Sequence, residues 1–294
     1  EASFAVSAPS LTLPKGGGAI RGIGEKFAAN AVTGTGLMTV PIATSPGRSG
    51  FGPQLSLSYD SGAGNGPFGF GWSLSLPSIT RKTEKGLPQY LDAVDSDVFI
   101  LSGAEDLVPI LQADGTRFHD ETTAPGFVID RFRPRIEGLF ARIERWSKTG
   151  SPDDVHWRSI SKDNILTLYG HDPNSRICDP LDASRVFSWL ICESRDDKGN
   201  GIRYLYKKED GACQLRPGQA DPFNQIHQRN RGPSADPRRT AQRYLHQVLY
   251  GNVRPLLDAQ GQRPRDLSDL PDPPTDTVAD WLFEVRFDYG ELDE

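Results

Sequence analysis

The stretch LSLSYDSGAGNGPFGFGWSLSLPSIT, Leu55 to Thr80, admits two incompatible readings, and the choice between them decides the fold. Gly64, Gly66 and Gly69 stand at the G-x-G-x-x-G spacing of a dinucleotide-binding turn, behind a run in which Leu55, Leu57 and Tyr59 alternate with polar residues. Such a turn needs a helix opening at its third glycine, because the pyrophosphate rests on the free amides of that helix. Here Pro67 sits inside the motif and Gly71 follows it. Trp72, Leu74 and Leu76 then alternate with serines at period two, which is a strand pattern. No acidic residue closes a second strand about 20 residues on, where that motif would place one. The glycines are therefore expected to form a tight bend between two strands, rich in left-handed backbone, under Phe68, Phe70 and Trp72. Gly64, Gly66, Gly69, Gly71 and Trp72 are structural-turn residues in this reading, not ligands.

The same period recurs outward from the bend. RYLYKK places Tyr204 and Tyr206 together, and DWLFEVRFDYG aligns Trp281, Phe283, Val285, Phe287 and Tyr289 against Glu284, Arg286 and Asp288. Gly, Pro, Asn and Asp clusters such as SPGRSGFGP and DDKGNG separate the runs. This pattern predicts an all-β fold of many short antiparallel strands joined by Gly/Pro-rich turns. The best helix candidate, RRTAQRYLHQVLYGN, spaces Leu245, Val248 and Leu249 almost helically. Its aromatic and β-branched content favours a strand, with Tyr244, His246, Val248 and Tyr250 on one side.

Residues 1–10 read as a flexible tail and 11–294 as one β-rich domain, a piece of a longer chain. Two proline-rich segments, 214–240 and 254–280, read as exposed loops. The arginines of the first (Arg229, Arg231, Arg238, Arg239, Arg243) fit a solvated loop better than a site for an acidic partner. The 30 glycines and 23 prolines among 294 residues stay below the roughly 25–30% typical of low-complexity disorder. A net charge of −6 gives no electrostatic reason to expect nucleic acid as a partner. No apolar run approaches the ~20 residues of a membrane-spanning helix, and no secretory signal peptide is visible.

Motifs that would carry chemistry are absent or incomplete. The GGGAIRGIG run spaces Gly17 and Gly22 as a phosphate loop does, but Ile23 and Gly24 replace its lysine and hydroxyl. GRSGF around Ser49 lacks the G-x-S-x-G spacing of a nucleophile elbow. Asp92, Asp95 and Asp97 do not follow a calcium-loop spacing. Cys178, Cys192 and Cys213 form no C-x-x-C pair, and the five histidines (119, 156, 171, 227, 246) form no H-x-x-x-H pair. Free thiols of this kind fit synthesis in a reducing cytosol. No catalytic residue, no cofactor and no metal ligand is assigned.

Longer words carry a resemblance. LPKGGGAIRGIGEKF (13–27), the run from Thr33 to Tyr90 and DVFILSGAEDLVPI (97–110) are similar to the SpvB family. So are ESRDDKGNGIRYLYKKED (193–210), RYLHQVLYGN (243–252) and WLFEVRFDYGE (281–291). That family joins the amino-terminal part of the Salmonella virulence plasmid B protein to the B components of insecticidal Tc toxin complexes. DDKGNGIRYLY also resembles the turn-plus-tyrosine pattern of an Rhs repeat.

The resemblance implies a non-catalytic segment of a hollow, Rhs-like β-shell (a cocoon) that encloses a toxic effector polypeptide. Its implied partners are a C component carrying Rhs repeats and the pore-forming A component. The implied route is synthesis in the bacterial cytoplasm, then secretion. One alternative is a carrier for an ADP-ribosyltransferase domain beyond Glu294. The Ser-Thr-Ser and Glu-x-Glu elements of that activity are missing from this chain, so it is not expected to be an enzyme. A further alternative, a carbohydrate- or surface-binding β-module, rests only on exposed aromatics.

Overall fold

The computed structural model describes residues 26–29, 34–101, 105–138, 140–151, 153–209 and 236–289. The expected tail at 1–10, the glycine run at 13–25, Cys213, His227 and most of the 214–240 segment lie outside these residues. Contacts divide the chain into two units, residues 1–41 with 56–73 and residues 42–55 with 74–294. A single β-rich domain over 11–294 was the expectation from the sequence.

The smaller unit is built on four strands, β1 (Lys26–Ala29), β2 (Gly36–Ile42), β3 (Leu55–Asp60) and, after two short strands, β6 (Trp72–Leu74), in the spatial order β1-β2-β3-β6. The short strands β4 (Asn65–Gly66) and β5 (Gly69–Phe70) pair only with each other. Period-two patterning thus yields strands on both sides of the glycines, as the sequence predicts.

The larger unit begins with β7 (Ser78–Arg81), β8 (Phe99–Leu101), β9 (Glu105–Pro109), the two-residue β10 (His119–Asp120), β11 (Phe127–Pro134), β12 (Arg142–Lys148), β13 (Val155–Ile160) and β14 (Leu166–Tyr169). It continues with β15 (Arg176–Asp179), β16 (Asp182–Arg195), β17 (Gly201–Lys208), β18 (Arg243–Asn252) and β19 (Trp281–Arg286). Every pairing is antiparallel. The path β7-β8-β9-β11-β12-β13-β14 closes because β16 joins β14 through Ile191–Arg195 and β7 through Ser188–Leu190. The result is an eight-stranded barrel, from which β17, β18 and β19 continue as a sheet.

An eight-stranded barrel is just wide enough for side chains to fill. Register brings inward residues opposite one another: Phe99 to Leu107, Phe132 to Ile143, Trp157 to Tyr169, Tyr169 to Ile191 and Trp189 to Ile79. Four rings occupy the centre, with Trp157 4.9 Å from Phe132, 5.0 Å from Phe99 and 6.0 Å from Trp189, centroid to centroid. Their tilted and edge-on contacts match the preferred geometry of aromatic pairs. The cluster runs on through Ile202, Tyr204, Val248 and Tyr250.

Two sequence expectations need correction. Pairing between β17 and β18 slips at Leu205/Tyr206, so His246 bulges and alternation breaks. Leu245, not Tyr244 or His246, joins Val248 and Tyr250 in the core. A bulge adds one residue to the period of two, which is why Leu245 and Val248 mimic helical spacing. The 254–280 segment is strand-free but not wholly exposed. Leu256, Leu267 and Leu270 are buried against Leu249 and Trp281, because the prolines that forbid a ladder leave leucine side chains free to dock.

Trp157→Ala is expected to lower unfolding free energy by about 3–5 kcal/mol, read by urea denaturation, because it empties the centre of the barrel. A loss below about 1 kcal/mol would mean that the rings do not form the core described.

Candidate functional site

Three arrangements of side chains and backbone stand out. The first is the glycine bend of the smaller unit. Pro67 and Phe68 connect β4 to β5, Gly69 has φ +100° and Gly71 has φ +79°. A Cβ on Gly71 would lie 2.5 Å from the Tyr59 ring and 2.9 Å from the Asp60 carbonyl oxygen. The bend closes with the Gly71 amide donating to the Gly64 carbonyl (3.0 Å) and the Asp60 amide donating to the Gly71 carbonyl (2.9 Å). Trp72 packs on Tyr59 at 5.3 Å. Gly64 has open space where its Cβ would be, and Gly66 would approach the Trp72 carbonyl at 3.0 Å. Phe70 was expected to cover the bend but is 66% exposed. β6 follows where a phosphate-binding helix would have to start.

The second arrangement plugs one end of the barrel with charge. Arg81 ends β7 on the same face as Ile79, and the loop to β8 folds back over it. Its Nη2 donates to Asp92 (2.9 Å), its Nη1 to Asp97 (2.8 Å) and its Nε to the Val186 carbonyl (2.7 Å). The guanidinium lies 4.9 Å from the Tyr90 ring, 5.1 Å from Phe99 and 5.4 Å from Trp189. Arg145 bridges Asp130 (2.7 Å) and Asp92 (3.6 Å). Burial pushes the Asp97 carboxyl up, but amides of Gln89 and Tyr90 together with Arg81 outweigh it and hold the group below the usual range. The acids of 92–97 therefore serve arginines: Asp95 pairs with Arg117.

His119 bonds to Asp130 through Nδ1, as a carboxylate-oriented base would. Among the described residues, no hydroxyl or thiol is hydrogen-bonded to its other nitrogen. Nor does any group of three His, Cys, Asp or Glu side chains form a metal site among them. Cys178 is half-buried, and Cys192 is buried with its thiol on the Leu168 carbonyl. No described helix is long and apolar enough to cross a membrane.

The third arrangement ties the 254–280 segment to the outside of the barrel. Arg158 on β13 donates to the Asp266 carboxylate (2.8 Å) and the Arg265 carbonyl (3.1 Å). Arg195 on β16 donates to the carbonyls of Pro264 and Arg265, both at 3.0 Å. His171 lies 3.3 Å from Asp266, and its ring meets that of the buried His156 at 4.7 Å. Arg81, Arg145, Arg158 and Asp266 escaped sequence reading because their partners lie in other elements and no fixed spacing announces them.

Two outcomes follow. Gly71→Ala should destabilise the smaller unit by more than 1 kcal/mol and Gly64→Ala should be near neutral, read as protection of β3 amides in hydrogen exchange. Arg81→Ala should cost about 3–5 kcal/mol in chemical denaturation, since it strands the buried Asp97 carboxylate. Equal effects of the two glycine changes, or a silent Arg81→Ala, would contradict these geometries.

A protein-family model described as Salmonella virulence plasmid 65kDa B protein matches residues 30–294. The mono(ADP-ribosyl)transferase SpvB of Salmonella typhimurium is 35% identical over 297 aligned positions, taking in 99% of this chain and 44% of that protein. The corresponding protein of Salmonella choleraesuis is 36% identical over 293 positions, 97% of this chain and 43% of that one. The chain thus spans less than half the length of these curated relatives. Among solved structures, TcdB2–TccC3 superposes with a TM-score of 0.73 at 33% identity, over 98% of this chain and 13% of that chain. The Photorhabdus luminescens Tc holotoxin pore gives 0.71 at 34% identity, over 97% of this chain and 12% of that chain. The N-terminal domain of the effector SpvB from Salmonella typhimurium strain LT2 gives 0.61 at 36% identity, over 74% of this chain and 64% of that one.

Proposed function

The chain belongs to the SpvB family, and on that premise we propose that it is a non-catalytic structural segment of a secreted bacterial toxin B component. It forms one part of a hollow β-shell around a toxic effector polypeptide. Its partners are a C component with Rhs repeats and a pore-forming A component. The observation that carries this reading is the superposition on TcdB2–TccC3 across 98% of the chain. The barrel adds a physical reason. Its interior is filled by Phe99, Phe132, Trp157 and Trp189, so it is a solid building block with no lumen, and cargo lies against its outside. The charged groups of the barrel end are paired with one another, which suits a load-bearing part better than a reaction centre.

A second reading has an observation of its own. The curated relatives bear the name mono(ADP-ribosyl)transferase and extend well beyond the matched region. On that reading this chain is the carrier of an enzyme domain encoded elsewhere in the same gene.

Co-expression of the full-length product with its C component separates the two. Shell formation predicts a stable complex in which the effector region survives protease until the complex is denatured. An effector digested at the same rate with and without this protein overturns the shell reading. NAD-dependent mono(ADP-ribosyl)ation by the full-length product, absent from residues 1–294 alone, supports the carrier reading.

A further inference from the structure

The cluster that fastens residues 254–280 to the barrel has a titratable group at its centre. His156 on β13 is 1% exposed. Its Nε2 accepts a hydrogen bond from Arg158 Nε at 3.1 Å, which requires the neutral ring. Its Nδ1 is buried with no partner among the described residues. Phe127 and Trp146 close the pocket, each 5.9 Å from the imidazole.

The charges facing this ring come from every neighbouring element. Arg158 stands on the same strand, His171 on the turn after β14, Arg176 on β15, and Asp266 on the 254–280 segment. Arg195 and Arg265 stand next to Arg158. Each nearby carboxylate is already engaged. Asp266 takes Arg158, Arg265 and His171; Glu193 takes Arg195; Asp154 takes Arg176; and Glu144 takes Arg131, Arg142 and the Trp146 indole. A cationic His156 has no carboxylate left to meet and an arginine at hydrogen-bond distance.

We propose that this cluster is an acid-released clasp, in which protonation of His156 displaces Arg158 and frees residues 254–280 from the outer face of the barrel. A proton on Nε2 removes the acceptor of Arg158 and sets two cations together. Arg158 then loses the Asp266 carboxylate and the Arg265 carbonyl. Release uncovers the apolar patch of Leu249, Leu256, Leu267, Leu270 and Trp281.

The sign follows from linkage. Burial, then Arg158, holds the folded-state pKa of His156 well below its ordinary 6.5. The closed form therefore has its full stability above pH 6.5 and loses it as pH falls toward the folded value. Each unit below 6.5 favours opening by up to about tenfold, hence at most about thirtyfold at pH 5 relative to alkaline pH and about fifteenfold relative to pH 6.5. Asp266 does not cancel this. Burial raises its carboxyl, but His171, Arg158 and Arg265 outweigh that and keep it ionised in mild acid. His171 contacts Asp266 whereas His156 contacts Arg158, so the two histidines are separable.

The test is hydrogen exchange by mass spectrometry on the full-length protein at pH 6.5 and pH 5.0, corrected for intrinsic exchange. Opening of 254–280 should rise by up to about fifteenfold at the lower pH, with β12 amides unchanged. His156→Leu should abolish that pH dependence, and His171→Gln should preserve it. If His156→Leu does not fold, His171→Gln decides alone. The proposal is overturned by no acid-dependent rise, by an equal rise throughout the barrel, by a rise that survives His156→Leu, or by its loss in His171→Gln.

Discussion

The larger unit depends on one strand that pairs on both edges over its second half, Ser188 to Arg195. β16 is 14 residues long, and each edge has two partners in succession. One edge meets β15 and then β14; the other meets β7 and then β17. The pairings with β14 and β7 close the barrel, and the pairing with β17 launches the sheet that leaves it. A Cys192 bulge lets the strand change partners without leaving the ladder: opposite Leu168 and Tyr169, its register jumps from Glu193 to Ile191. Bulges bend and twist a strand, which is what closure requires of it.

Closure also explains where the charges sit. The barrel interior is taken by rings, so polar groups are confined to its ends and outer face, where they must be paired to be buried. Arg81 and Arg145 do this at one end with Asp92, Asp97 and Asp130. Arg158 and Arg195 do it on the outside with Asp266 and backbone carbonyls. Both networks hold down segments that have no strand of their own. The loop between β7 and β8 and the 254–280 segment are positioned by arginines reaching out of the barrel, not by ladders.

Strands were legible wherever alternation is unbroken, as around the glycine bend and in Trp281–Arg286. At the bend, Pro67 and the serine alternation argue against a helix on local grounds. Legibility failed where a bulge disturbs the period, as at His246, and where composition and burial disagree, as in the proline-rich 254–280 segment. Closure itself leaves no local mark, since nothing in DASRVFSWLICESR says that two different strands will share one edge. The arginine networks are hidden for the same reason: Arg158 and Asp266 are 108 residues apart.

That distance has a counterpart in the closing seam. The Ser188 hydroxyl meets the Ile79 carbonyl 109 positions away along the chain. Strands β7 to β14 can pair in turn with near neighbours as they leave the ribosome, but the growing sheet keeps two bare edges until β16 has emerged. Contacts this remote are slow to form, and open edges are where nascent β-proteins go astray. The interval between synthesis of Arg81 and of Leu190 is therefore the period in which a chaperone has most to protect.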